Sequence, residues 1–128
     1  MMRSRSRQES TSIRLEDCPS SNKKADFVGV ESLKIRHGRQ IQQFKTWANR
    51  REWDEFHHSH YDWWAFPINE PSSQGHSYTV YMEEIRLLQG DADFMDNFKA
   101  GLDLLALSWG WNLKESSRVQ NPDPDQCW

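Results

Sequence analysis

The chain has 128 residues, of which 36% are hydrophobic and 12% aromatic, seven of them tryptophan. Its mean hydropathy of -0.94 is low, yet fourteen of the sixteen aromatics fall within positions 41–113, so one compact aromatic domain between polar ends fits better than a wholly disordered chain. Charge divides at the same boundaries: nine Lys/Arg against five Asp/Glu over residues 1–40, five against eleven over 41–113, and two against three over 114–128, for a net -3.

In chain order, residues 1–24 read as a disordered, basic Arg/Ser-rich tail. Residues 25–38 are ambiguous between a lead-in strand and a short helical turn. A helix is expected from about Arg39 to Arg50, where Ile41, Phe44 and Trp47/Ala48 recur three to four apart. A second is expected from Glu52 to Ala65, through Trp53, Phe56/His57, His60 and Trp64. It must stop at Phe66, because Pro67 restricts the residue before it and lacks a backbone donor.

Residues 67–78 carry two prolines and a glycine and read as a loop. Thr79 is the expected N-cap of a third helix, with Glu83 and Glu84 in its first turn, Tyr81, Ile85 and Leu88 on its buried stripe, and Gly90 at its end. Asp91 or Asp93 caps a fourth, with Phe94/Met95, Phe98, Leu102, Leu105 and Trp109 as its apolar stripe. Gly110 is its left-handed stop, with Trp111 folding back on the last turn. Residues 114–128 read as a polar tail. The expectation is a small all-α bundle of about four helices over residues 25–113, with both tails dispensable for folding.

Several classes are excluded. No run approaches the ~18 apolar residues of a membrane span. The opening MMRSRSRQES lacks the apolar stretch of a secretory signal. Cys18 and Cys127, one in each end segment, cannot staple a secreted scaffold or build a Cys-based zinc site, which favours an intracellular compartment, cytoplasmic or nuclear. The acidic midsection repels phosphates, so no nucleic acid is expected on the core.

Three groups of residues bear on chemistry. His57, His58 and His60 lie within four positions, and His57 with His60 are the candidate metal ligands; the string HHSHYD, however, lacks the glutamate of a zinc-protease helix. No nucleophile elbow, phosphate loop or dinucleotide fingerprint is present, and neither cysteine sits where a base could activate it. Tyr61, Asp62, Trp63, Trp64 and Phe66 point around one helix and cannot all face inward. Tyr61, Asp62, Trp63 and Glu70 are therefore the candidate ligand-binding set, with an aromatic and acidic character suited to a basic or amine-bearing peptide or protein. Packing of Trp63 within the domain is the competing explanation.

The run Tyr61-Asp-Trp-Trp64-Ala-Phe66-Pro67-Ile68-Asn-Glu70-Pro71 resembles the Y-x-x-W-x-F-P-[LI]-x-E-P signature of the opioid growth factor receptor conserved region. His60 or His58 answers to the histidine that commonly precedes the tyrosine there. The likeness continues through Thr79 to Ile85 and ends at Ser108-Trp109-Gly110-Trp111-Asn112-Leu113. It implies an all-helical domain with His60, Trp64, Phe66, Pro67 and Pro71 as structural motif residues, a shortened relative without cofactor, and a non-enzymatic, receptor-like role. The expected function is a binding module. The alternatives are a metal-dependent enzyme using His57 and His60, or a degenerate fragment without independent activity.

Overall fold

Leu33, His37, Gln40, Ile41, Phe44 and Trp47 form the buried face of helix α1 (Val30–Asn49) in the computed structural model, which describes residues 19–72 and 75–126. Apolar spacing predicts a start near Arg39, but the helix begins at Val30. His37 and Gln40 occupy core positions of the same stripe, and their polarity hides the period.

The single helix expected over Glu52–Ala65 is two: α2 (Trp53–His58) and α3 (Asp62–Ala65), separated by extended backbone at Ser59. In an unbroken helix the Phe56 carbonyl would accept the amide four residues on. Here it accepts the hydroxyl of Tyr61 instead, while the Asp54 carbonyl is bonded by the His58 ring at 2.8 Å. The break turns Tyr61 inward, where only 3% of it is exposed.

Helix α4 (Met82–Gln89) has its N-cap at Tyr81, two residues after the expected Thr79. Thr79 is buried and its hydroxyl donates to the Glu70 carbonyl. The cap comes from inside the helix, where Glu84 accepts the Tyr81 amide at 2.8 Å. Helix α5 (Ala92–Ser108) is capped by Asp91, whose carboxylate accepts the Phe94 amide at 2.9 Å.

Helix α5 lies along α1, its most extensive partner. Its buried points are Phe94, Gly101 and Ser108, seven residues apart. A Cβ at Gly101 would come within 2.7 Å of Ile41 Cδ1, so a side chain there would force the end of the buried Ile41 to move for the two helices to keep this approach. Hydropathy ranks Leu102 and Trp109 as the core positions, but they are 39% and 41% exposed. The true interface uses the small neighbours, one residue back.

Two apolar clusters result. Ile41, Phe44, Trp47, Trp53, Phe56, Tyr61 and Ala65 form one, with Trp64 and Phe66 packed against it. Leu33, Val80, Leu88 and Phe94 form the other. Phe66 joins them, its ring 6.3 Å from Phe44 and 6.0 Å from Phe98. The fold is mostly α, with five α-helices and one two-stranded ribbon among the described residues.

The expectation of a polar tail over 114–128 is corrected over its described part. Gly110 does take the left-handed conformation (φ +81°), and strand β1 (Trp111–Asn112) then pairs antiparallel with β2 (Ser117–Arg118). A short 3₁₀ turn (Pro124–Gln126) returns the chain to the helices. The buried Gln126 amide donates to the Leu107 carbonyl at 2.8 Å, adding a second hydrogen bond to an oxygen that already accepts the Gly110 amide at the end of α5. Asp123 takes two hydrogen bonds from Arg51 and one from the Trp53 indole, each at 2.8–2.9 Å.

The other expected tail also contributes to the fold where it is described. Asn22 is buried, its amide bonded to both carboxylate oxygens of Glu84 and its side chain donating to the His76 and Thr79 carbonyls. Residues 1–18, the rest of that expected tail, lie outside the described residues. Among the described residues no helix is long and apolar enough to cross a membrane.

Candidate functional site

The structure divides the candidate ligand-binding set. Tyr61 faces the core, 4.8 Å from the Phe44 ring, with its hydroxyl on the Phe56 carbonyl. Burial, assisted by the Asp62 charge, pushes that hydroxyl up to about 12. It is a structural residue and not a contact for a partner. Asp62 and Glu70 are exposed and Trp63 is half-buried. Among the described residues no hydrogen bond, ion pair or ring contact brings these three together.

The candidate metal ligands separate as well. His57 Nε2 lies 2.9 Å from the Ser108 carbonyl and the ring stacks on Trp109 at 3.6 Å, so this histidine closes the end of α5. His60 is exposed, contrary to its expected place on the buried stripe. Among the described residues no group of three or more His, Cys, Asp or Glu is arranged to hold an ion.

Trp64, the aromatic anchor of the resemblance block, does more than fill space. Its indole N–H donates to the buried Gln40 at 2.9 Å, and one ring face packs beside the first apolar cluster. Over the ring sits the Arg36 guanidinium, 3.9 Å from the centroid. Tyr78 completes the corner, its ring 5.4 Å from Trp64 and 5.6 Å from the guanidinium. Arg39 follows one turn later on α1, and Ser32 precedes Arg36 by four, so the three share a face. Val28, Ser32, Ile35, Arg36, Arg39 and Tyr78 line a surface cavity of about 260 Å³. Among the described residues neither arginine forms an ion pair with a carboxylate.

Sequence reasoning missed this site. An Arg-x-x-Arg step is ordinary helix chemistry, and nothing local says that Trp64, 28 positions away, lies under the first of the pair. Val28 and Ile35 are 37% and 57% exposed beside it, apolar side chains displayed where a solvated helix face would carry polar ones.

Phe66 and Pro67, from the same block, are half-buried, and Pro67 borders a second, apolar groove of about 230 Å³ between α4 and α5. Pro71 is exposed. Inside that wall lies His37, wholly buried against Phe94 at 4.3 Å between ring centroids, with neither ring nitrogen in a hydrogen bond. Burial pushes its imidazole down to about 4; the nearby Ala65 carbonyl, outside hydrogen-bonding geometry, offsets this only in part.

No family model, curated protein or solved structure matches the chain.

Proposed function

We propose that this domain is a non-enzymatic interaction module that engages an anionic group of a peptide or protein partner through Arg36 and its aromatic corner. One observation carries the reading: a guanidinium without a carboxylate partner among the described residues, stacked on an indole that is itself hydrogen-bonded in place. Such an arrangement lowers the entropy lost when a partner orders the side chain. It also leaves the N–H edges of the guanidinium free for a forked contact.

A second reading follows the sequence expectation of a basic or amine-bearing partner. The exposed Asp62 next to the half-buried Trp63 supports it, without the aromatic wall that Tyr61 was to supply. A metal-dependent enzyme finds less support, since His57 is committed to the Ser108 carbonyl. The relationship to the opioid growth factor receptor conserved region belongs to the same proposal, with Trp64 of that block as the floor of the site. So does an intracellular setting, cytoplasmic or nuclear, which rests on the sparse cysteines.

Titration of the full chain with hexaglutamate and hexalysine peptides, followed by backbone and indole N–H shifts, tests the proposal. Hexaglutamate should move Ser32, Arg36, Arg39, Tyr78 and the Trp64 indole, with affinity falling as salt rises. Shifts confined to Asp62 and Trp63 on adding hexalysine would favour the second reading. Silence from both peptides at millimolar concentration would overturn the interaction module.

A further inference from the structure

We propose that the cavity over Arg36 and Arg39 is a phosphate-monoester site that takes a phosphorylated side chain of a peptide. The inference rests on the interaction-module reading and names the ligand of the same site.

The donor inventory points away from a lone carboxylate. Arg36 and Arg39 come from successive turns of α1 and line the same cavity, with Ser32 on the same helix face. The Tyr78 side chain closes the other wall, and its hydroxyl has no hydrogen-bond partner among the described residues. A carboxylate is planar, singly charged and filled by one forked arginine. A phosphate monoester presents three terminal oxygens and a charge near two, so it can engage both guanidiniums and a hydroxyl while leaving no cation unmatched.

Arg36 is the fixed half of the pair. Its guanidinium lies over Trp64, whose own N–H is anchored to Gln40 and whose far face packs on the core. The cation is therefore oriented by stacking, without a competing carboxylate that a ligand would have to displace. Arg39 is the other half, exposed, with no ring contact or ion pair to hold it among the described residues.

The surroundings favour a peptide over a free phosphate. Exposed Val28 and Ile35 border the same cavity, offering apolar contact to residues next to a phosphorylated one. A small phosphate ion would leave both untouched, and the cavity of about 260 Å³ is larger than such an ion fills.

The test is calorimetry and amide-shift titration of the full chain with four probes. They are a capped Leu-phosphoserine-Leu peptide, its unphosphorylated form, its glutamate counterpart and inorganic phosphate. The phosphopeptide should bind at least about tenfold more tightly than the glutamate peptide and than inorganic phosphate, reflecting the second guanidinium and the apolar flanks. Arg36→Lys and Arg39→Gln should each weaken it by about tenfold or more, since an ammonium neither stacks nor forks as a guanidinium does. Both should melt as the parent does, and Arg50→Gln, a charge change at the far end of α1, should bind as the parent. Equal binding of inorganic phosphate, or of the glutamate peptide, would overturn the phosphopeptide site while leaving an anion-binding module standing. Unchanged phosphopeptide affinity in both arginine variants would overturn the site itself, and no binding of any anionic probe would remove the interaction module with it.

Discussion

Replacing His37 with leucine should erase a defined part of the protein's acid sensitivity. The imidazole is wholly buried with no hydrogen bond to either nitrogen, and its affinity for a proton falls from the ordinary 6.5 to about 4. A base depressed in this way is neutral in the folded state and protonates more readily once unfolded. Stability is then greatest above the unfolded value and is lost as pH falls from 6.5 towards 4. A gap of roughly 2.5 units at ~1.36 kcal/mol each gives a total near ~3.4 kcal/mol, of which about 2 kcal/mol develops between pH 7 and pH 5. Urea unfolding followed by tryptophan fluorescence, run at both pH values on the parent and on His37→Leu, isolates the effect. The four other histidines remain in both proteins and cancel in the difference. The variant should lose about 2 kcal/mol less than the parent over that range. Equal losses in the two proteins would mean that His37 is solvated or hydrogen-bonded, and the packing of α1 on α5 would need redrawing around it.

Gly101→Ala gains helix propensity of up to ~1 kcal/mol, but the overpacking against Ile41 should cost ~1–3 kcal/mol and win. Ile41→Val, which removes the offending Cδ1, should rescue part of that loss in the double variant, and a double-mutant cycle with no coupling would refute the close approach. Gln126→Ala should destabilise by ~1–2 kcal/mol through loss of its two side-chain hydrogen bonds, one to the Leu107 carbonyl and one from the Asp123 amide. A chain ending at residue 113 should lose its cooperative thermal transition by circular dichroism, whereas an unchanged transition would return residues 114–128 to the status of a tail.

Periodicity made α5 and the second half of α1 readable, because their aromatic and aliphatic residues repeat at helical spacing. It failed where a polar or small residue carries the packing. His37 and Gln40 concealed the first turns of α1, and Gly101 and Ser108 hid the true face of α5. The break between α2 and α3 has no composition signal at all, since Ser59 and His60 break no helix by themselves. It depends on where the Tyr61 hydroxyl finds an acceptor. Long-range polar contacts were equally silent. Neither the Asn22–Glu84 bonds nor the Gln126–Leu107 bond can be inferred from spacing, so both ends of the chain read as solvated. At the candidate site the sequence marked Trp64 as a core anchor but gave no sign of its use as a platform for Arg36.

The end of α5 takes its finishing hydrogen bonds from two directions, His57 from upstream and Gln126 from downstream. The first needs only residues 57 and 108, the second the docking of the segment that follows the ribbon. Until residues 123–126 dock, the Trp53 indole lacks its Asp123 partner and the Leu107 carbonyl holds the Gly110 amide alone. Helices α1 to α5 can collapse on their aromatics first, and docking of residues 123–126 then completes the native state. A chain with that segment undocked would hold the domain in a loosened form with the Trp53 edge open to solvent, the state in which a chaperone or protease would meet it.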